Sequence, residues 1–305
     1  MGPPVGGAPA PTRSPAEAGV QESGALSVLS WAPASAGEHG WRGCANALHL
    51  ARSLWLMGSL LLAPRFDIPL RHLVIYDATH AFPENPMTRL AVFDCDGTLV
   101  DSQANICVAC ERAFEGAGLI PPPRAEIRRI VGLSLVEAMQ VLLPQADDTL
   151  HRSLASDYKN AFHAMRASGE LADEPLFEGI AEVLGTLADD GWVLGVATGK
   201  SDRGLAHILA AHGITERFVT LQTADRHPSK PDPAMLFAAI AEAGATAETT
   251  AMIGDTSFDM AMARAARVRA VGVAWGYHDV HELSDAGADV VATAVPDLLH
   301  MVARP

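Results

Sequence analysis

Lysine is almost missing from this chain. Among 305 residues there are three, Lys159, Lys200 and Lys230, and arginine serves as the default cation. Positive charge is short overall: lysine and arginine total 22 against 36 aspartates and glutamates, a formal net charge of -14. Such an excess repels nucleic acid and anionic membranes over a Debye length, so neither is expected as a partner. Cysteine is scarce too. Cys44, Cys95, Cys107 and Cys110 do not make the dense framework of a disulfide-stapled secreted domain, and a reducing cytoplasm fits best. Cys107 and Cys110 form a C-x-x-C inside a helical pattern with no second pair, which reads as two buried small hydrophobes. The apolar run Leu54–Pro64 has 11 residues, too short to span a bilayer. It also lies too far into the chain for the apolar core of a signal peptide.

What is present divides at Met87. Residues 1–86 hold ten of the 20 prolines, nine of the 26 glycines and no lysine. Their opening, "MGPPVGGAPAPTRSPAEAG", has no helical or strand period and reads as disordered. His72–Phe82 has a strand-like pattern without evident chemistry. Two accounts fit the break: a natural extension, or a true start at Met87 with an upstream stretch wrongly joined to it. Residues 87–305 carry the acidity, with 17 basic and 30 acidic residues.

Beyond Met87 short apolar runs alternate with helical stretches. "LAVFDCD", "DGWVLGVATG", "TTAMIGD" and "RAVGVAWG" read as buried strands, with weaker ones at "RFVTLQT" and "ADVVAT". "EGIAEVLGTLADDG" puts Ile180, Val183, Leu184 and Leu187 on one helical face. "DPAMLFAAIAEAG" starts at Asp-Pro and stops at Gly244. Continuous apolar strands separated by helices predict a parallel, doubly wound α/β sheet. From Ser102 to about Pro175 no strand is evident. The expected division is a core of residues 87–101 and 176–305, with an α-helical cap over 102–175.

Polar clusters fall where strands end. Asp94 and Asp96 with the Gly97 turn close the first strand. Thr198, Gly199 and Lys200 close another, and Asp255 a third, with Asp259 one turn on. Lys230 comes from a loop before a helix. In open α/β sheets this edge binds ligands. Two of the three lysines stand there, which suggests a need for a compact ammonium. Gathering carboxylates is unfavourable, since two unit charges 4 Å apart repel by ~4 kcal/mol at an effective dielectric near 20. A hard cation such as Mg²⁺ would offset that, and it pairs with phosphate. A carboxylate can also act as nucleophile and form an aspartyl-phosphate.

"DCDGTLVD", "VATGK", "KPDP" and "GDTSFD", in that order, resemble the four motifs of the haloacid-dehalogenase-like hydrolase superfamily. The helical insert after the first motif resembles the phosphoglycolate phosphatase and beta-phosphoglucomutase branch. The resemblance covers about 87–305. It implies Asp94 as nucleophile, Asp96 as the acid that protonates the leaving alcohol and then activates water, and Thr198 as a phosphoryl ligand. Gly97, Thr98 and Gly199 would line the phosphate site. Lys230 would balance charge. Mg²⁺ would be held by Asp94, Asp255 and the Asp96 backbone carbonyl, with Asp259 behind it. Lys200 matches less strictly and reads as a salt-bridge partner. Asp101 and Ser102 read as N-cap residues of the first insert helix. Cys95 reads as packing, and no histidine receives a role.

The implied reaction is hydrolysis of a small phosphomonoester, such as phosphoglycolate or a sugar phosphate. A dehalogenase would leave Asp96 idle, because halide needs no proton. A phosphonate-cleaving relative would use a cap lysine, and Lys159 is the single candidate. A phosphosugar mutase shares the motifs and stays open as the alternative, with an inactive regulator behind it. Specificity would come from the cap. "RRIVGLSLVEAM" is the expected loop over the site, with Arg128 or Arg129 meeting a substrate carboxylate or second phosphate. The oligomeric state is open.

Overall fold

The computed structural model describes residues 88–302. Cys44, Leu54–Pro64, the strand-like His72–Phe82 and the rest of 1–86 lie outside the described residues. Six strands form one sheet: β1 (Arg89–Phe93), β2 (Trp192–Thr198), β3 (Phe218–Thr223), β4 (Thr250–Gly254), β5 (Arg269–Val273) and β6 (Val290–Ala292). Each matches an apolar run read from the sequence. Their order is β3-β2-β1-β4-β5-β6, and every pairing is parallel. This is the doubly wound order, with its switch point beside β1.

The strands read as unbroken apolar runs because both faces are covered. On β1, Ala91 and Phe93 point into one apolar cluster, while Leu90 and Val92 point into the other. The first cluster is closed by α5 (Ile180–Asp189), α6 (Asp202–Ala211) and α10 (Leu298–Val302). The second is closed by α7 (Ala234–Ala243), α8 (Ser257–Ala266) and α9 (Val280–Asp285). Ile180, Val183, Leu184 and Leu187 are the buried residues of α5, as their spacing predicts. The α7 helix follows Asp232-Pro233 and stops at Gly244, which takes the left-handed conformation at φ 62.

Between β1 and α5 lie four further helices: α1 (Gln103–Gly116), α2 (Arg124–Arg129), α3 (Leu135–Leu142) and α4 (Asp148–Ser168). They enclose a third apolar cluster built on Ile106, Phe114, Ile127, Met139 and Leu154. Burying each such side chain contributes about 1.5–3 kcal/mol. α4 is 21 residues long, capped by Asp147, whose side chain accepts from the Leu150 N–H at 2.9 Å. The chain enters and leaves this insert side by side. Asp101 N–H donates to Pro175 O at 2.9 Å, and Phe177 N–H to Leu99 O at 3.0 Å. No helix among the described residues is long and apolar enough to cross a membrane.

Candidate active site

β1 delivers the chain into the switch point and then turns sharply. Asp94 N–H extends the ladder to Ile253 O at 2.9 Å, and Leu99 and Val100 N–H fold back onto Cys95 O. Gly97 sits at φ +83, and a Cβ there would lie 2.2 Å from Asp255 Oδ2. Glycine at this position lets the first-strand turn touch the carboxylate at the end of β4.

Asp94 has no exposed surface. Lys230 Nζ lies 2.8 Å from its Oδ1, an ion pair whose angles fall short of a hydrogen bond. Oδ2 has no hydrogen-bond partner among the described residues. Lys230, itself buried, donates to Asp259 Oδ1 at 2.7 Å. The other oxygen of Asp259 accepts from Thr256 N–H and Oγ1 at 3.1 and 2.7 Å, closing a capping box on α8. Asp255 accepts from Thr98 Oγ1 at 2.8 Å and from Tyr277 N–H at 2.9 Å. Gly276 lets that last strand of chain approach, since a Cβ there would fall 2.2 Å from Asp255.

Asp96 points to the other side of the turn. Lys200 Nζ donates to its Oδ1 at 2.6 Å, and the Ser102 hydroxyl donates to the same oxygen. Thr198 Oγ1 accepts from Lys200 N–H at 3.2 Å. Its own hydroxyl proton has no acceptor among the described residues.

These carboxylates have too little positive charge around them. Burial raises Asp94 to about 7, and Asp259 and Asp96 push the same way against the pull of Lys230. Asp255 is raised well above the usual carboxylate range by burial, then by Asp94 and Asp259. Burial opposes the charge of Lys230, but Asp259 and Asp94 more than offset it and raise its pKa. The same balance with Asp96 raises that of Lys200. Burial also holds Cys95 well above its ordinary value, as a packing thiol. Oxygens of Asp94, Asp255 and Asp259 lie within 4.8 Å of one another. An all-carboxylate set with an orphaned oxygen suits a hard divalent ion, so these residues fit Mg²⁺.

Beside Asp96 and Lys200 a cavity of about 690 Å³ opens between core and insert. The 128–139 segment does reach the site. A Cβ on Gly199 would lie 2.7 Å from the carbonyl oxygens of Gly132 and Leu133, and Ser134 N–H donates to Ser229 Oγ at 2.8 Å. Its arginines do not. Arg128 is exposed and lines smaller clefts outside the cavity, and Arg129 is exposed and pairs with Glu282. Helix geometry turns Ile127, Ile130 and Val131 inward and the two arginines outward. Thr98, expected at the phosphate, spends its hydroxyl on Asp255. Ser102 stands at the N-cap of α1 but makes no cap hydrogen bond, because its hydroxyl reaches Asp96. His278, given no role by the sequence, accepts from Ser257 N–H through Nδ1, so its Nε2–H donates to Arg129 O at 3.0 Å and joins core to insert.

A doubly wound sheet with acidic turns and a buried lysine at its switch point marks a specific class. The sequence profile of the haloacid dehalogenase-like hydrolases matches residues 91–273, and the chain belongs to that family. Among its relatives is a Dickeya dadantii protein named "Probable phosphatase IndB". It is 34% identical over 70% of this chain and 93% of its own length. A phosphoglycolate phosphatase of Agrobacterium fabrum is 31% identical, over 64% of this chain and 84% of its own. A hydrolase structure from Pseudomonas syringae superposes with a TM-score of 0.62 at 27% identity, covering 70% of this chain and 97% of that one.

Proposed function

We infer that this chain is a Mg²⁺-dependent phosphatase of small phosphomonoesters that works through an aspartyl-phosphate on Asp94. The observation that carries the reading is the Asp94 carboxylate. It is buried at the carboxyl end of β1, with Lys230 at one oxygen and, among the described residues, no partner at the other. Its relatives named as phosphatases support the same reaction.

Asp94 attacks phosphorus, and the bond from phosphorus to the ester oxygen breaks. Asp96, held by Lys200 and Ser102 at the cavity wall, gives a proton to the departing alkoxide. It then takes one from the water that attacks the phosphoenzyme, releasing phosphate and free Asp94. The free Thr198 hydroxyl suits a phosphoryl oxygen. Lys230 offsets the repulsion between nucleophile and phosphate. Asp94, Asp255 and the Asp96 carbonyl would hold Mg²⁺, with Asp259 orienting Lys230 beside it. When bound, the ion would supply charge neutralisation for the transferring group. Because Asp94 is sealed, substrate entry requires residues 102–175 to lift from the core as a cap and close again over the bound ester.

The test is rapid-quench kinetics on Asp94→Asn and Asp96→Asn with alkyl and aryl phosphates. Asp94→Asn forms no phosphoenzyme with either. Asp96→Asn loses ~10²–10⁴ in turnover with alkyl esters, whose alkoxide leaves poorly. With aryl esters it releases a burst of phenol and stalls as phosphoenzyme. Wild-type turnover of alkyl esters by Asp96→Asn, or a phosphoenzyme on Asp94→Asn, overturns the assignment.

A further inference from the structure

The cavity beside Asp96 is far larger than a two-carbon ester fills. At about 690 Å³ it lies within the ~300–1,000 Å³ of sites for much bigger ligands. One wall is a single face of α4. Arg152, Lys159 and Arg166 recur at intervals of seven, so they stack along that face over about 21 Å of helix. Phe162 lies between the last two.

Some surface arginines are matched by acids: Arg112 with Glu170, Arg124 with Glu111, Arg264 with Asp289. Among the described residues, none of Arg152, Lys159 and Arg166 has a carboxylate within ion-pair distance. Arg166 is the most enclosed of the three. Its guanidinium carbon sits 5.6 Å from the centre of the Phe162 ring, and its Nε is buried without a hydrogen-bond partner among the described residues. Leaving a buried charged donor unmatched is unfavourable, and a bound anion would satisfy it. A solvated helix face would not bury that nitrogen.

We propose that the α4 wall selects phosphomonoesters carrying a second anionic group remote from the scissile phosphate, joined to it by a flat or apolar body that lies against Phe162, with Arg166 as the residue that reads the remote anion. This rests on the phosphatase reading above and adds the substrate class. A planar guanidinium matches a carboxylate or phosphate in two-point contact. Lys159, about two turns nearer the start of α4, adds charge without fixing geometry.

The test uses two esters that differ in one charge: the O-phosphate of 3-(4-hydroxyphenyl)propionate and that of its methyl ester. Their leaving phenols are alike, so chemistry cancels in the ratio of kcat/KM. With the full-length chain and Mg²⁺, the acid should be preferred about tenfold to a hundredfold, mostly through KM, as a charge-assisted hydrogen bond gives. Arg166→Met should collapse the preference to within about threefold, and Lys159→Met should weaken it. Arg112→Met, which removes a cation outside the cavity, should leave the ratio alone. Thermal melts check that each variant is folded, and Lys159→Met stands in should Arg166→Met fail to fold. Equal efficiency for the two esters in wild type, or a preference that survives both wall variants, overturns the proposal and leaves the phosphatase reading intact. Turnover of p-nitrophenyl phosphate but of neither test ester does the same. Failure on every ester overturns both.

Discussion

Removing one carboxylate from the buried acidic set should make the metal-free protein more stable. Asp94 is raised from 3.8 to about 7, chiefly by burial. Between those values the folded state keeps a proton that the unfolded chain has released. Stability therefore falls as pH rises through the window, by roughly 4 kcal/mol for one such group. Asp255 is raised in the same direction and adds to the slope. The acids with lowered pKa, Glu111, Glu170, Glu248 and Glu282, act below their ordinary value of 4.5 and so outside the range from about pH 5.5 to 8. Glu174, raised by burial, adds to the slope, and His207, lowered by burial from 6.5, opposes it only below that value. Asp94→Asn keeps the shape, removes one titrating charge, and leaves Lys230 its bond to Asp259. In excess chelator near pH 8 the variant should melt several degrees above wild type, since 1 kcal/mol moves Tm by about 2–4 °C at this size. Near pH 5.5 the gap should shrink. Millimolar Mg²⁺ should raise the wild-type melt and do much less for the variant. Calorimetry at both pH values, with and without metal, reads all of this. A wild type no less stable near pH 8 than near pH 5.5 in chelator, or a variant that melts below it near pH 8, would refute the reasoning.

Gly276→Ala puts a methyl 2.2 Å from the Asp255 side chain, so Mg²⁺-dependent stabilisation and activity should both be lost. Gly116→Ala, with nothing within 4 Å, should leave both unchanged and serves as the control. A chain of residues 87–305 should fold and keep phosphatase activity, as read by circular dichroism melts and ester turnover. Insolubility of that shortened chain would show that residues 1–86 are needed.

The fold was legible because parallel strands buried on both faces write themselves as unbroken apolar runs. Even the short β6 could be read in "ADVVAT". The acidic turn, Lys230 and Asp255 were legible because each stands at a strand end or helix start, where local sequence fixes position. Direction was not legible. Ser102 looks like a cap from its neighbours, yet its hydroxyl goes to Asp96 across a turn that only the Gly97 conformation creates. Arg128 and Arg129 lie on the right segment, but the rotation of α2 is set by Ile127 packing into the insert. Arg166 lies 36 residues beyond Ile130, and nothing local tells that its face of α4 closes a cavity. His278 could have been suspected only from knowing that β5 ends beside the insert.

The central place of β1 has a consequence for how the protein is made. β1 is the first described strand, yet its register pairs Leu90 with Val193 on one side and with Thr250 on the other. On a ribosome adding about 5–20 residues per second, roughly 8–32 s separate the synthesis of Leu90 from that of its β4 partner. Until β2 is made, about a hundred residues after Leu90, an apolar strand ending in two aspartates has neither neighbour, and its β4 side stays open for the whole interval, while the insert helices, whose contacts are local, can already form. Asp94 meets Lys230 and Asp255 only once nearly the whole chain has been synthesised. The nascent chain thus holds a central strand with an open edge until β4 is made, and aggregation during translation, rather than weakness of the finished sheet, is where a damaging substitution in β4 would first be felt.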